Sequence, residues 1–169
     1  MTDKIEIINY DDKYQTVFRE LNVEWISKYF KMEAADFRAL DNPQGYIYDG
    51  GGHILVALLN AEPVGVCALI KMDDPTYQFE LAKMAVSPQA QGKKIGLLLG
   101  QAVIKQAKKL GATAIYLETN AILKPAISLY EKLGFRHIQG RPTPYERCDV
   151  QMELVLLVSE TGCRRISRV

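Results

Sequence analysis

Residues 80–99 read ELAKMAVSPQAQGKKIGLLL, a pattern that predicts a strand, a polar turn and the first turns of a helix. The backbone N–H groups at a helix start have no partner within the helix, and the helix dipole adds about half a positive charge there. An anion such as a pyrophosphate is therefore stabilised at such a turn. We predict an anion-binding site at residues 91–96.

The turn by itself is weakly specific, because glycine-flanked helix starts occur in many folds. Its sequence, Gln91-Gly-Lys-Lys-Ile-Gly96, has neither the GxxxxGK[ST] spacing of a nucleoside triphosphate loop nor the GxGxxG spacing of a dinucleotide fold. A plain connection between a strand and a helix is the alternative interpretation. The neighbouring elements favour a ligand site.

Length and composition predict one domain of balanced charge. With 169 residues, of which 48% are hydrophobic, the chain is long enough to bury a single core, and we expect one domain over residues 1–158. Residues 159–169 lack periodicity and are expected to form a mobile tail. The net charge of +1 does not favour nucleic acid or an anionic membrane as a partner.

Targeting and redox features predict a cytoplasmic protein without a metal. The N-terminus lacks the apolar segment of a secretory signal, and the longest apolar run, residues 54–59, is too short to span a bilayer. Cys67, Cys148 and Cys163 follow no disulfide or metal-ligand spacing, and the two histidines are far apart. We therefore expect reduced cysteines and no metal site.

Hydrophobic periodicity predicts a mixed α+β protein with the element order β-α-α-β-β-β-α-β-α-β-β. The predicted strands cover residues 5 to about 11, 53–59, 64–71, 77–86, 113–119, 135–138 and 150–157, and the predicted helices about 12–30, 33–40, 95–110 and 125–133. The second and third strands are expected to form a hairpin around a Glu62-Pro63 turn. The fourth strand extends this hairpin into an antiparallel meander.

Residues 53–138 resemble the GCN5-related N-acetyltransferase (GNAT) family. In that family the pyrophosphate of acetyl-CoA is held by a Gln or Arg, two residues, a Gly, one residue, and a Gly or Ala, and residues 91–96 are similar to this motif. Residues 80–88 look like the family's fourth strand, and residues 126–135 look like its later helix and turn. The chain before residue 53 matches the family in the number and order of its helices.

The resemblance implies a fold and a co-substrate. The fold is a mostly antiparallel, twisted sheet that is splayed between its fourth and fifth strands and flanked by helices. The co-substrate is acetyl-CoA, with no metal. The implied cofactor-binding positions are Met84, Ala85, Val86, Gln91, Gly92, Lys93, Lys94, Ile95, Gly96, Asn120 and Tyr130.

Two positions depart from the family pattern. Lys94 stands where the first glycine of the motif is usual, and a lysine with positive φ would cost about 1–2 kcal/mol. The backbone of Lys94 has either the ordinary right-handed helical conformation or a strained one with positive φ. Its ammonium group either contacts a phosphate oxygen or is solvated. Leu123 occupies the place of a frequent asparagine, for which we expect Asn120 to substitute.

Acetyl transfer from a thioester to an amine requires a base and an acid. We assign Glu80 as the base, because its even spacing from Val86 puts both side chains on the same side of an unbulged strand. An exposed strand glutamate is the alternative for Glu80, and Glu118 is the alternate base. The resemblance implies that Tyr130 protonates the leaving thiolate and that backbone N–H groups of residues 84–86 stabilise the developing oxyanion.

Three further residues are candidates for binding the acceptor: Glu33, Asp36 and Arg147. An acidic pair would suit a cationic amine, whereas Arg147 would suit a carboxylate through paired hydrogen bonds. The sequence leaves both possibilities open.

These features together predict an acetyl-CoA-dependent N-acetyltransferase that acts on a primary amine of a small molecule or amino acid. A protein lysine or N-terminus as the acceptor is one alternative, and a non-catalytic acyl-CoA sensor is another. We expect no nucleic acid or membrane partner. The apolar segment at residues 150–158 suggests a possible homodimer through a sheet edge.

Overall fold

The computed structural model describes residues 2–156, so the predicted tail at residues 159–169 and Cys163 lie outside the described residues. The elements follow the predicted order. The strands are β1 (Ile5–Asn9), β2 (His53–Leu59), β3 (Glu62–Lys71), β4 (Phe79–Val86), β5 (Ala114–Thr119), β6 (Arg136–Ile138) and β7 (Val150–Val155). The α-helices are α1 (Gln15–Tyr29), α2 (Ala34–Asp41), α3 (Ile95–Lys109) and α4 (Lys124–Lys132).

The strands form one sheet in the order β1-β2-β3-β4-β5-β7-β6. Every neighbouring pair is antiparallel except β4 and β5, which are parallel and pair at Phe79 with Ile115 and at Glu80 with Tyr116. Beyond Glu80 the two strands separate. The predicted α+β fold, with its sheet splayed between the fourth and fifth strands, is therefore confirmed.

A β-bulge interrupts β4 at the point where the strands separate. Ala82 pairs with Ala68 and Ala85 pairs with Val66, so two residues of β4 oppose the single residue between those partners. Lys83, inside the bulge, has a φ of 52°. An extra residue of this kind shifts the alternation of side chains between the two faces of the strand.

The bulge overturns one prediction. Phe79 and Leu81 pack in the core cluster that contains α3, and Val86 packs against the same cluster, whereas Ala85 belongs to the cluster on the other face. Glu80, which alternates with Phe79 and Leu81, therefore lies on the opposite face from Val86. The expectation that both project to one side was wrong because it assumed an unbulged strand.

The sheet lies between two layers of helices. On one face α3 and α4 cover a cluster that includes Ile95, Leu99 and Val103, and on the other α1 and α2 cover a cluster around Phe18 and Leu40. Among residues 2–156, no helix has the length and apolar character needed to cross a membrane.

The hairpin between β2 and β3 turns two residues earlier than predicted. Leu59 pairs with Glu62, and the turn residues Asn60 and Ala61 have φ values of 50° and 70°. Two-residue hairpin turns with positive φ at both positions match the twist of the strands. The predicted turn at Glu62-Pro63 is therefore wrong, because the proline ring holds φ near −65°.

A short π-helix, Gln44–Tyr48, follows α2 and was not predicted. Its sequence, QGYIY, carries a glycine and β-prone aromatic residues and shows no helical periodicity. Ile47 from this segment is fully buried against the α1 and α2 face.

We expect Ala61→Gly to raise the free energy of unfolding by about 1 kcal/mol, because glycine adopts positive φ without a steric penalty. Chemical denaturation measures this change. Ala121→Gly is the control: Ala121 is also exposed in a turn but has no positive φ, so its replacement should leave stability unchanged or lower it. Equal effects of the two changes would contradict the assignment of strain to residue 61.

Candidate active site

A cavity of about 110 Å³ opens where β4 and β5 separate. Its apolar lining comes from α1, β4 and the region of α4. The polar side chains that line it are Asn22, Glu80, Lys83, Glu118, Thr119, Asn120, Tyr130, Tyr145, Arg147 and Cys148. The structure thus brings Glu80, Tyr130, Asn120 and Arg147, which were predicted separately, to one cavity.

Glu80 is a carboxyl group that holds its proton unusually well. Burial raises its pKa to about 7, the nearby Glu118 adds to the rise, and Lys83 acts in the opposite direction. Within residues 2–156 its carboxylate accepts no hydrogen bond. Glu80 therefore changes between its protonated and ionised forms near neutral pH, as a general base for an amine requires.

Glu118, the alternate base, is tied to hydroxyl groups. One carboxylate oxygen accepts a hydrogen bond from Tyr116 at 2.9 Å and the other accepts one from Thr143 at 2.6 Å. Each oxygen of Glu118 thus already has a hydroxyl donor, whereas the Glu80 carboxylate has none among the described residues, so the geometry favours Glu80 as the base.

Tyr130 extends from α4 to the other side of the cavity. Its ring packs edge-on against Phe135 at a centroid distance of 6.1 Å. Burial raises the pKa of the Tyr130 hydroxyl above its ordinary value. The hydroxyl consequently keeps its proton throughout the neutral range.

A buried ion cluster forms the wall beside Lys83. The fully buried carboxylate of Asp36, on α2, accepts a hydrogen bond from Lys83 Nζ at 2.6 Å and paired bonds from Arg147 at 2.8 and 2.6 Å. Burial raises the pKa of Asp36, but the bonds from Arg147 and Lys83 outweigh it and bring this pKa down to about 2. Asp36 is therefore ionised at neutral pH.

Tyr145 lies between the two cations of this cluster. Lys83 Nζ donates to its hydroxyl at 3.1 Å, and its ring centroid is 5.0 Å from Lys83 Nζ and 4.6 Å from the guanidinium carbon of Arg147. Such contacts stabilise a cation over an aromatic ring. They also fix the loop between β6 and β7 against β4.

Glu33 and Asp36 were predicted as acceptor-binding residues, but neither is among the residues that line the cavity. Glu33 accepts bonds from Arg147 at 3.0 Å and from the Glu146 amide at 2.9 Å, so both carboxylates support Arg147 from behind. Lys83 does line the cavity and was missed. The available signal was a lysine inside an otherwise apolar strand end, residues 81–86.

Asn120 joins the end of β5 to the loop that carries Arg147. Its side chain donates to the backbone oxygen of Arg147 at 2.6 Å and accepts from the Ile122 amide at 3.0 Å. In this position it orders the rim of the cavity.

The turn before α3 has the backbone of an anion site. Gly92 has a φ of 84°, and Lys94 is left-handed with φ 61° and ψ 23°, so the strained alternative for Lys94 is the one observed. Among residues 2–156, no acceptor bonds the amides of residues 92–94. The first-turn amides of α3 are unpaired as at any helix start.

Side chains of this turn have different surroundings. Lys93 donates to the carboxylate of Asp3 at 2.6 Å, and the side chain of Ile95 is buried in the core. Gln91 and Lys94 are exposed. A Cβ added to Gly96 would lie 3.1 Å from Leu129, so α3 approaches α4 closely beside the turn.

Comparison with known proteins identifies the family of this chain. The model of the acetyltransferase (GNAT) family matches residues 14–135. The chain belongs to the GNAT family. The match begins earlier than the predicted resemblance at residue 53, so the N-terminal helices are part of it. The prediction of an N-acetyltransferase is confirmed.

Two curated GNAT relatives are similar over different lengths. The uncharacterized N-acetyltransferase YjgM of Escherichia coli is 31% identical over 146 residues, which cover 85% of this chain and 70% of that protein. The N-acetylaspartate synthetase of Mus musculus is 35% identical over 98 residues, 58% of this chain and 32% of that protein. The aligned part of the chain is therefore about a third of the synthetase's length.

Solved GNAT structures share the fold. An acetyltransferase of the GNAT family from Staphylococcus aureus has a TM-score of 0.81 at 26% identity and covers 91% of this chain and 100% of its own. The Bacillus subtilis acetyltransferase in complex with CoA has a TM-score of 0.65 at 24% identity, with 92% and 100% covered.

We expect Asp36→Asn to lower the free energy of unfolding by about 3–5 kcal/mol at pH 7, because it leaves the buried Lys83 without its counter-ion and Arg147 with Glu33 alone. Because the pKa of Asp36 is lowered in the folded state, its ionised form contributes stability that is present above pH 3.8 and is lost as the pH falls toward 2. The difference in the free energy of unfolding between the wild type and Asp36→Asn should therefore be smaller at pH 3. Urea unfolding at both pH values measures it.

Asp41→Asn is the matched control on the same helix. Asp41 pairs with Arg19, but both side chains are about half exposed, and such pairs contribute roughly 0–1 kcal/mol. A loss at Asp36 no larger than at Asp41 would show that the buried cluster does not hold the site together.

Proposed function

We propose that this chain is an acetyl-CoA-dependent N-acetyltransferase that transfers an acetyl group to a primary amine of a small molecule or amino acid. The observation that carries the proposal is the pairing of Glu80, with its pKa of about 7, and the protonated Tyr130 across one cavity in the splay of the sheet. A base and an acid of this kind are what aminolysis of a thioester requires.

The turn at residues 91–96 fits a pyrophosphate. The amides of residues 92–94 and of the first turn of α3 are available as donors, and the positive φ of Gly92 and Lys94 bends the chain around them. The exposed ammonium of Lys94 supplies a further donor to a phosphate oxygen. Acetyl-CoA bound here supplies the activated thioester.

Glu80 removes the proton that the amine must lose before it attacks. An alkylamine with a pKa near 10.4 is overwhelmingly charged at pH 7, and a carboxylate whose own pKa is near 7 accepts its proton far more readily than an ordinary glutamate. The amine nitrogen then forms its bond to the carbonyl carbon.

Backbone amides of β4 stabilise the negative charge that develops on the carbonyl oxygen. The Ser87 amide donates to Val64 on β3 at 2.7 Å, and amides alternate in direction along a strand. The Ala85 amide is therefore directed to β3, whereas that of Val86 is directed into the splay. We assign Val86 as a donor, and Met84, inside the bulge where this alternation is interrupted, as a second candidate.

Tyr130 donates its proton to the sulfur as the carbon–sulfur bond breaks. The amine releases two protons over the reaction and the thiol retains one, so one proton leaves to solvent. The hydroxyl is restored from the protons that Glu80 collects, which requires a path between them through the cavity that both residues line.

The small-molecule acceptor is supported by the cavity volume of about 110 Å³ and by the relative that is named for the synthesis of N-acetylaspartate. A protein acceptor and a non-catalytic sensor are the alternatives. Incubation with acetyl-CoA and a panel of amines, amino acids and lysine peptides should release CoA with a small acceptor. Release with peptides alone, or tight CoA binding without transfer, would favour one of the alternatives.

We expect Glu80→Gln to lower kcat/KM about 100-fold at pH 7.5, because the amine then loses its base. The wild-type rate should itself fall as the pH drops below about 7, where Glu80 becomes protonated. Initial rates across pH 5.5–9 measure both effects. A wild-type profile that shows no inflection near pH 7 would contradict the role of Glu80.

The same variant should gain stability. A carboxyl group whose folded pKa is raised contributes stability below its unfolded value of 4.5 and loses it as the pH rises through about 7. Glu80→Gln should therefore be more stable than the wild type at pH 8, by about 1–3 kcal/mol, and equal to it near pH 4.5. Glu62→Gln, at an exposed position of β3, should change neither rate nor stability.

We expect Tyr130→Phe to lower kcat about 100-fold while CoA affinity stays unchanged, because the ring keeps its contact with Phe135 and the proton donor is lost. Steady-state kinetics and calorimetric titration with CoA measure the two quantities. Tyr46→Phe, at an exposed position, is the control. An undiminished kcat would remove Tyr130 from the role of acid.

A further inference from the structure

The wall formed by Lys83, Tyr145 and Arg147 has unused hydrogen-bond donors, and both carboxylates behind it already accept bonds from the protein. The carboxylate of Asp36 accepts four bonds, from the Glu33 amide, from Lys83 and from two nitrogens of Arg147. A carboxylate offers about four acceptor positions, so Asp36 is saturated. Both oxygens of Glu33 also accept bonds from the protein.

The cations of the cluster retain donors. Lys83 donates to Asp36 and Tyr145, which leaves one of its three N–H groups. Arg147 uses both hydrogens of one terminal nitrogen and one of the other, which leaves two of its five N–H groups. The hydroxyl hydrogen of Tyr145 has no acceptor within residues 2–156.

The spare donors belong to residues that line the cavity, whereas the carboxylates of Asp36 and Glu33 do not line it. The carboxylates neutralise the cations from behind and hold them in place. The cavity surface at this end therefore presents donors to whatever enters. An acceptor-rich, negatively charged group matches such a surface, and a second ammonium group does not.

We propose that Lys83, Tyr145 and Arg147 form a subsite for the carboxylate of the acceptor, so that the acceptor is an amino acid. The inference rests on the proposed function and deepens it. Nothing in the family match assigns these residues. The subsite separates the candidate acceptors by chemistry, because a lysine side chain or an N-terminus of a protein carries no carboxylate beside its amine.

The bulge of β4 brings the residues for the amine and for the carboxylate of such an acceptor to the same cavity. In a regular strand Glu80 and Lys83 would project from opposite faces, since they are an odd number of residues apart. The left-handed Lys83 shifts the alternation, and both side chains line the same cavity. The amine end then faces Glu80 and the carboxylate end faces Lys83.

The first test compares each amino acid with its α-amide as the acceptor. The amide lacks the negative charge, and its amine is less basic, so a larger fraction is already neutral. A preference for the amino acid consequently cannot come from amine protonation. We expect kcat/KM to be about 10- to 100-fold higher for the amino acid, the effect of one hydrogen bond to a charged group. Equal or faster acetylation of the amides overturns the subsite.

The second test uses Lys83→Met and Tyr145→Phe. Methionine keeps the length of the side chain, and Asp36 remains paired with Arg147, so the cluster keeps one cation. Lys83→Met also removes a charge that lowers the pKa of Glu80, an effect that acts on both kinds of acceptor, so the readout is the ratio between them. Lys83→Met should lower kcat/KM about 10- to 100-fold more for amino acids than for their amides, and Tyr145→Phe should act in the same direction more weakly. Lys105→Met, at an exposed position of α3, is the control. Equal losses for acids and amides overturn the subsite.

Binding separates a failure of this inference from a failure of the proposed function. The full chain saturated with CoA is titrated calorimetrically with amino acids and their amides. Binding of the acids that is lost in Lys83→Met supports the subsite even if the wild type transfers no acetyl group. An absence of binding by every amino acid overturns it, including where other amines are acetylated.

Discussion

The bond between Lys83 and Asp36 is the interaction on which the rest of the site depends. Lys83 has a φ of 52°, which costs a residue other than glycine about 1–2 kcal/mol. Its ammonium meets the fully buried carboxylate of Asp36 at 2.6 Å, and this contact anchors the side chain that the strained backbone directs there. Because Arg147 binds the same carboxylate, one ion cluster joins α2, the bulge of β4 and the loop before β7.

Two carboxylates near the same cavity are placed in opposite states by their surroundings. Asp36 is fully buried, yet its pKa falls to about 2 because two cations bond it, whereas that of Glu80 rises to about 7 because no bonded cation offsets its burial. Burial alone would have made both groups weak acids. The bonded cations keep Asp36 ionised as a structural ion pair, and their absence leaves Glu80 able to exchange a proton.

The sequence predicted the features that depend on local patterns. The order of the elements followed from periodicity, and the turn at residues 91–96 followed from glycine spacing and its neighbours. The position of the bulge has no such local signal, because Lys83 sits in a strand of ordinary composition and its side chain bonds Asp36, which is 47 positions away. The error about Glu80 and Val86 has this origin. The hairpin was misplaced for a local reason, since Pro63 gave a stronger turn signal than Asn60 and Ala61.

Lys83 and Lys94 are both lysines in the left-handed region, one at each end of the proposed site. Glycine would adopt either φ without the steric cost, so at each position the side chain has to offset a loss of stability. For Lys83 the offset is visible in the bond to Asp36. The side chain of Lys94 makes no hydrogen bond or ion pair within residues 2–156, so no such contact in the described fold offsets its strain. Under the proposed function, the pyrophosphate of acetyl-CoA would lie between this ammonium and the unpaired helix-start amides, and that contact would offset the strain at Lys94.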